Sequence, residues 1–167
     1  MFKYCPQCKN DNLLFIDNHY WTCQQCDFVY FHNTAAAVAG IIEYDNKILL
    51  TVRAKEPGKG LYDLPGGFVD QNESLEQALS REVQEELGIS ITEWRYFVSL
   101  PNLYQYKNIT YHTLDSVFLT SLAEQPKLTL EASEISDSAW FNVIDIDLET
   151  IAFPSLRQAI ALLQQDN

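Results

Sequence analysis

Positive charge is what this chain lacks first. Its 167 residues include 11 lysines and arginines against 23 aspartates and glutamates, a formal net charge of −12. The acids are spread along the chain and not gathered in a tail. That balance argues against a duplex nucleic-acid binder, whose affinity comes mostly from cations on phosphates. Cysteine is absent after Cys26, so no disulfide framework can staple the whole fold. Long apolar runs are missing as well. None approaches the roughly 18 residues of a membrane span, and the first ten residues hold no apolar stretch of a secretory leader. The expectation is a soluble, cytoplasmic protein with no membrane partner. With 47% hydrophobic and 20% charged residues, the composition excludes disorder and fibres and suffices for one full core. An acidic protein that handles phosphate must do so through a few chosen cations, and a divalent metal is the simplest source of them.

What is present begins with the cysteines. Cys5-Pro-Gln-Cys8 and Cys23-Gln-Gln-Cys26 are two C-x2-C knuckles separated by 14 residues. Each can aim two thiolates at one point, and four thiolates complete a tetrahedral zinc with no open position, hence a structural site. Thiol exchange also uses C-x2-C, but the knuckles are duplicated and no βαβ pattern surrounds them. Residues 13–16 and 19–22 read as short strands around Asp17-Asn18, and the segment resembles a zinc ribbon. Residues 1–32 carry Lys3 and Lys9 against Asp11, Asp17 and Asp27, a balance of 2 − 3 = −1, so this ribbon offers no basic face to nucleic acid. Its expected task is to staple or wall the domain that follows, because some 30 residues cannot bury a sufficient core without a metal. His19 and His32 are expected to be ordinary ribbon residues. The domain division predicted is 1–32 and 33–167.

Residues 34–44 and 47–53 read as strands joined by an Asp45-Asn46 hairpin turn. A glycine-rich loop, 57–67, leads to a helix over about Ser74 to Leu87, with Gly88 as its C-cap. At about 100° per residue, Leu75, Ala78, Leu79, Val83 and Leu87 form the apolar stripe. Glu82 and Glu86 fall among these apolar positions, about 20° either side of Leu75, with Glu85 close to Ala78. Carboxylates there repel one another and need a cation. Arg81 can neutralise one, and a divalent metal must supply most of the remainder.

These residues carry a resemblance. Gly67-(x5)-Glu73-(x7)-Arg81-Glu82-Val83-Gln84-Glu85-Glu86-Leu87-Gly88-Ile89 resembles the Nudix box, G-x5-E-x7-R-E-U-x-E-E-x-G-U with U aliphatic, at every fixed position. Leu64-Pro65-Gly66-Gly67 before it is also typical of that family. The resemblance extends over residues 34 to about 165, and the added ribbon is similar to zinc-ribbon Nudix proteins, including NADH pyrophosphatases. It implies an α/β fold, a Nudix α/β/α sandwich around a mixed sheet preceded by a small zinc ribbon. It also implies metal-dependent hydrolysis of a nucleoside diphosphate linked to another moiety.

By that resemblance Glu82, Glu85 and Glu86 would hold Mg²⁺ or Mn²⁺, with the Gly67 carbonyl as a further ligand. The general base would be Glu85, Glu86 or an acid of a later loop, where Glu131 and Glu134 stand. Glu73 and Arg81 are expected to form an ion pair that orients the loop. Residues 88–99 and 109–122 are predicted strands bracketing residues 100–108 as a connecting segment. NADH pyrophosphatases carry S-Q-P-W-P-F-P-x-S at this distance after the box. This chain has Ser99-Leu100-Pro101-Asn102-Leu103, without the tryptophan and the later prolines. That departure makes ADP-ribose or another ADP-linked compound at least as expected as NADH or capped RNA. Tyr104, Tyr106 and Tyr111 suit either stacking on a base or packing under the loop. Arg53 and Lys55 could reach a phosphate, and His112 reads as a strand residue. A last helix begins at Phe153-Pro154-Ser155 and buries Leu156, Ala159, Ile160 and Leu163. The expected partner is a small nucleotide derivative, with a homodimer possible in this family. The competing reading is a Nudix-fold metabolite sensor acting through a partner, which the three intact acids of the box disfavour.

Overall fold

The computed structural model describes residues 2–165. The chain divides into two compact units, Met1–Thr34 and Ala35–Asn167. The first is a three-stranded antiparallel sheet of β1 (Leu13–Ile16), β2 (Tyr20–Cys23) and β3 (Val29–Phe31). The sequence reading anticipated the first two strands and missed β3, whose three residues are too few to show an alternation. Asp17 and Asn18, both at positive φ, turn the chain between β1 and β2. Across that hairpin Phe15 stands opposite Trp21 and stacks on it at 4.7 Å.

The second unit is built on β4 (Ala35–Tyr44), β5 (Lys47–Arg53), β6 (Tyr62–Asp63), β7 (Gly66–Phe68), β8 (Arg95–Tyr106), β9 (Ile109–Ser121) and β10 (Ile135–Asn142). It also has helices α1 (Leu75–Leu87) and α2 (Pro154–Gln165). The main path of the sheet is β10-β5-β4-β9-β8. β4 and β9 run parallel and the other neighbours antiparallel, so the sheet is mixed, as the resemblance implies. Side chains alternate across it. Val38, Ile42, Leu49 and Phe118 pack with Ala78, Leu79, Val83 and Leu87 of α1. Ala39, Ile41, Leu50 and Val117 pack with Leu156, Ala159, Ile160 and Leu163 of α2 on the opposite face. Each large aliphatic side chain buried in these layers contributes about 1.5–3 kcal/mol.

Two features position the site. β4 and β5 are paired only near their Asp45-Asn46 turn, at Glu43–Ile48 and Tyr44–Lys47. Beyond it the glycine-rich segment fills the opening, β6 pairing with β5 and β7 with β4. The two short strands within that segment were not expected, because two and three residues show no period. α1 then starts from a capping box. The Gln77 amide donates to Ser74 Oγ and the Ser74 amide to Gln77 Oε1, at 3.2 and 2.9 Å, so Ser74 caps the helix from outside it.

The largest departure lies in residues 88–108. The first strand there begins at Arg95, not at Gly88, and the predicted connecting segment is itself strand. β8 continues through Pro101 and Asn102 to Tyr106, and only Lys107 and Asn108 turn the chain into β9. Pro101 misled the reading. β8 is an edge strand, where a missing N–H need not break the ladder.

Candidate functional site

The four cysteines converge. Their sulfurs lie within 4.8 Å of one another, the only such set of three or more His, Cys, Asp or Glu ligand atoms among the described residues. Cys5 Sγ is 3.7 Å from Cys26 Sγ, and Cys8 Sγ is 3.7 Å from Cys23 Sγ. A disulfide needs about 2.05 Å, whereas a tetrahedron with metal–sulfur bonds of about 2.3 Å has sulfur–sulfur edges of about 3.8 Å. The spacing therefore fits a four-thiolate cage. Backbone amides turn toward the sulfurs in both knuckles, Cys8 N–H to Cys5 Sγ and Gln25 N–H to Cys23 Sγ. Against the desolvation of burial, amide hydrogen bonds from Cys8 and Gln7 bring Cys5 down to about 7. Despite the Phe28 amide, burial and the surrounding thiols push Cys26 up to about 12. His19 and His32 stay outside the cage, their rings against Phe31 and Phe15.

The second site is a cavity of about 350 Å³ where β4 and β5 part. α1 presents Glu82, Glu85 and Glu86 to it, the glycine turn presents Gly66 and Gly67, and Phe68 and Tyr104 stand beside them. The turn lies tightly between β4 and α1, against the β4 backbone at Gly66 and against the Glu82 carboxylate at Gly67. A Cβ on Gly66 would overlap the Val38 carbonyl oxygen, and one on Gly67 would lie 2.5 Å from Glu82 Oε1. The Gly66 N–H donates to Glu86 Oε2 at 3.0 Å.

Glu86 is buried at only 9% exposure, as its place among apolar wheel positions requires. Burial, together with the charges of Glu82, Asp63 and Glu134, pushes its carboxyl up to about 8 despite the Gly66 hydrogen bond. Burial also raises Glu82, against the pull of Arg81. Arg81 is the hub of the cluster. It donates through Nε and Nη2 to the two oxygens of Glu73 at 2.8 and 3.0 Å, through Nη2 to the Phe68 carbonyl, and through Nη1 to Glu82 and Glu85 at 2.9 and 3.2 Å. The Glu73–Arg81 pair of the sequence reading is thus bidentate, and Arg81 holds Glu73 below the usual carboxylate range. A hard divalent cation suits this donor set, in which carboxylates and the nearby Gly67 carbonyl offer only oxygen.

The later-loop acids separate. Glu134 lines the cavity and pairs with Lys55 Nζ at 2.6 Å. Glu131 is exposed and accepts from the Ser133 amide and hydroxyl at 3.2 and 2.9 Å. Arg53 reaches the cavity but is committed within the protein. Nη1 meets Asp63 Oδ2 at 2.5 Å, Nε donates to the Pro57 carbonyl, and the guanidinium lies over the Phe153 ring. Tyr104 meets Phe68 edge-on at 5.4 Å and lies tilted against Phe153 at 5.7 Å. Tyr106 and Tyr111 are exposed on the hairpin, and His112 is an exposed β9 residue.

Sequence reasoning missed four buried polar lining residues, Asp63, Asn102, Thr113 and Asp115, and the rings of Phe68 and Phe153. Desolvation pushes Asp63 up to about 6 against its Arg53 partner. Their signal in the sequence is faint. Thr113 and Asp115 share a period of two with buried Val117, and Asn102 stands between exposed neighbours on the strand that was read as a loop.

Comparison with known proteins agrees with this geometry. The chain is 32% identical over 146 residues to the NAD-capped RNA hydrolase NudC of Vibrio atlanticus, aligning 86% of this chain with 51% of that protein. Over 61 residues, 36% of either chain, it is 54% identical to the ADP-ribose pyrophosphatase of Methanocaldococcus jannaschii. A NUDIX hydrolase structure from Nitrosomonas europaea matches 99% of this chain and 92% of its own with a TM-score of 0.77 at 24% identity, a likeness of fold. The chain spans about half the length of the Vibrio atlanticus relative. Because the NUDIX domain model matches residues 32–163, and the box acids meet the glycine turn at one cavity, the chain belongs to the NUDIX domain family.

Proposed function

We propose that this protein is a metal-dependent pyrophosphohydrolase. It cleaves an ADP-linked compound, ADP-ribose or a relative such as NADH, to a mononucleotide and a phosphorylated remainder. The observation that carries the reading is the juxtaposition of Glu82 and Glu86 with the Gly66-Gly67 turn in a cavity that also holds Lys55, Glu134 and aromatic rings. The names of the Vibrio and Methanocaldococcus relatives support the same substrate class.

Glu82, Glu85, Glu86 and the Gly67 carbonyl would hold Mg²⁺ or Mn²⁺, which supplies charge neutralisation and a water of lowered pKa. The protein's own groups do the rest. The Gly66 amide holds the Glu86 carboxylate in place, and the Glu73–Arg81 pair orients Glu82 and Glu85. Lys55 faces the anionic phosphates. Glu134 beside it takes the proton of the attacking water as the new P–O bond forms and the bridging P–O bond breaks, its electron pair leaving with the other phosphate. Glu85 and Glu86 remain the alternative bases. The rings of Phe68, Tyr104 and Phe153 suit a planar base. The four-cysteine cage would hold Zn²⁺ in a structural role.

Product analysis tests the reading. ADP-ribose, NADH, NAD, diadenosine polyphosphates, CoA and nucleoside triphosphates are incubated with the protein and Mg²⁺ or Mn²⁺. Metal-dependent release of AMP from an ADP-linked compound is expected. A folded, metal-supplied protein that cleaves none of them overturns it.

A further inference from the structure

Asn102 is 9% exposed on β8, in the wall of the same cavity. Its Nδ2 donates to Asp115 Oδ2 at 3.0 Å. Its Oδ1 is the one buried side-chain oxygen or nitrogen among the described residues without a hydrogen-bond partner. An unpaired buried amide oxygen is costly, and native proteins seldom carry one without cause.

The orientation of this amide follows from chemistry. Asp115 accepts from Thr113 Oγ1 at 2.6 Å, from Ser155 Oγ at 2.5 Å and from Asn102. A carboxylate only accepts, so reversing the amide would set two oxygens against each other. Three elements supply this arrangement, β8, β9 and the start of α2, and in a residue that lines the cavity they leave a buried acceptor that no protein donor reaches. Tyr104 lies two residues along β8, on the same side of the strand as Asn102, and carries the Phe68 and Phe153 rings with it. Ala37 and Ala39 of β4 line the same cavity.

We propose that Asn102 Oδ1 is a specificity-determining acceptor that takes a hydrogen bond from an N–H or O–H of the substrate's nucleoside, with Asp115, Thr113 and Ser155 as positioning residues. The inference rests on the reading of this cavity as a nucleotide site. The donor chemistry has two sources in a nucleoside, the exocyclic amine of the base and a ribose hydroxyl, and the test separates them.

Calorimetric binding of AMP, of purine riboside 5′-monophosphate, which lacks the amine, and of 2′- and 3′-deoxy-AMP is measured on the full chain and on Asn102→Leu. Loss of the acceptor is expected to weaken AMP about tenfold. The ligand that lacks the responsible donor binds wild type about tenfold less tightly and is unaffected by the substitution. That ligand is purine riboside monophosphate for an amine contact and a deoxy nucleotide for a hydroxyl contact. Equal losses for every ligand, or none, overturn the assignment. If Asn102→Leu does not fold, the wild-type series decides alone, and equal affinity for all four ligands overturns it. Asp115→Asn, which frees the amide to reverse, should erode the discrimination between ligands, whereas undiminished discrimination removes Asp115 from the positioning role. Cleavage of ADP-ribose without coupling to Asn102 sinks this inference and leaves the hydrolase reading standing. Coupling without cleavage of any ADP-linked compound does the reverse.

Discussion

Met1–Thr34 and Ala35–Asn167 are held together by different means. In the first unit only Cys5 and Cys23 are buried among the described residues, and Phe2, Tyr30 and Phe31 remain largely exposed. In the second, two apolar layers clamp a seven-stranded sheet between α1 and α2. The small unit gathers four thiols where a core would be. The large unit has apolar mass to spare, and uses it to hold Glu86 and Asp63 out of water. The contrast teaches that four gathered thiols, able to hold a metal, can occupy the place of a core, and that a sufficient core can carry an electrostatically costly site.

Stripping the cage should have the largest effect. A strong zinc chelator at neutral pH should remove the zinc proposed for the cage, a metal whose binding is worth on the order of 10 kcal/mol to such a module. The near-ultraviolet signal of the Phe15–Trp21 stack should collapse while Ala35–Asn167 keeps its melting transition. A stack that survives with no bound zinc would mean that the first unit stands on its apolar contacts.

The second unit should respond to pH when free of metal. Folded Glu86 keeps its proton up to about 8, whereas an ordinary glutamate releases it at 4.5. The folded state thus binds the extra proton. This contribution is fully present below about 4.5 and is lost as pH rises through 8, by at most about 5 kcal/mol. Melting temperature in chelator should fall across that window, and Glu86→Gln should flatten the slope. An equally steep slope in the variant would place the titration elsewhere.

For turnover, Glu86→Gln should lower kcat about a thousandfold while the variant melts no lower than wild type. Undiminished hydrolysis would take α1 out of the chemistry. The smallest effect is local. Ser74→Ala should cost about 1 kcal/mol in denaturant unfolding, with kcat barely changed. A large loss of activity would show that the start of α1 is coupled to the site.

Much of this was legible in the sequence. The C-x2-C pairs, the Asp45-Asn46 hairpin, the span of α1 and the box acids all depend on neighbours within a turn or two, where spacing and period report directly. The connecting segment at 100–108 was misread because Pro101 is a local breaker, and only the sheet order shows that β8 lies at an edge. Glu131 and Glu134 looked equivalent in sequence. They differ because Ser133 occupies the first while Lys55, from the end of β5, meets the second. Arg53 read as a free cation and is instead held by Asp63 across β5 and β6.

By itself the sequence determined the identity of the donors: four sulfurs within 26 residues, and a set of carboxylates at helical spacing. Covalent spacing and helix geometry suffice for that. Which acids lose their water, which cations are already spent, and that one amide oxygen on β8 is left without a donor were decided by tertiary structure. Burial and pairing are properties of what packs against a residue. For Asn102 the pairing is set by Asp115, 13 residues away along the chain, and Asp115 is held in turn by Ser155, a further 40 residues on.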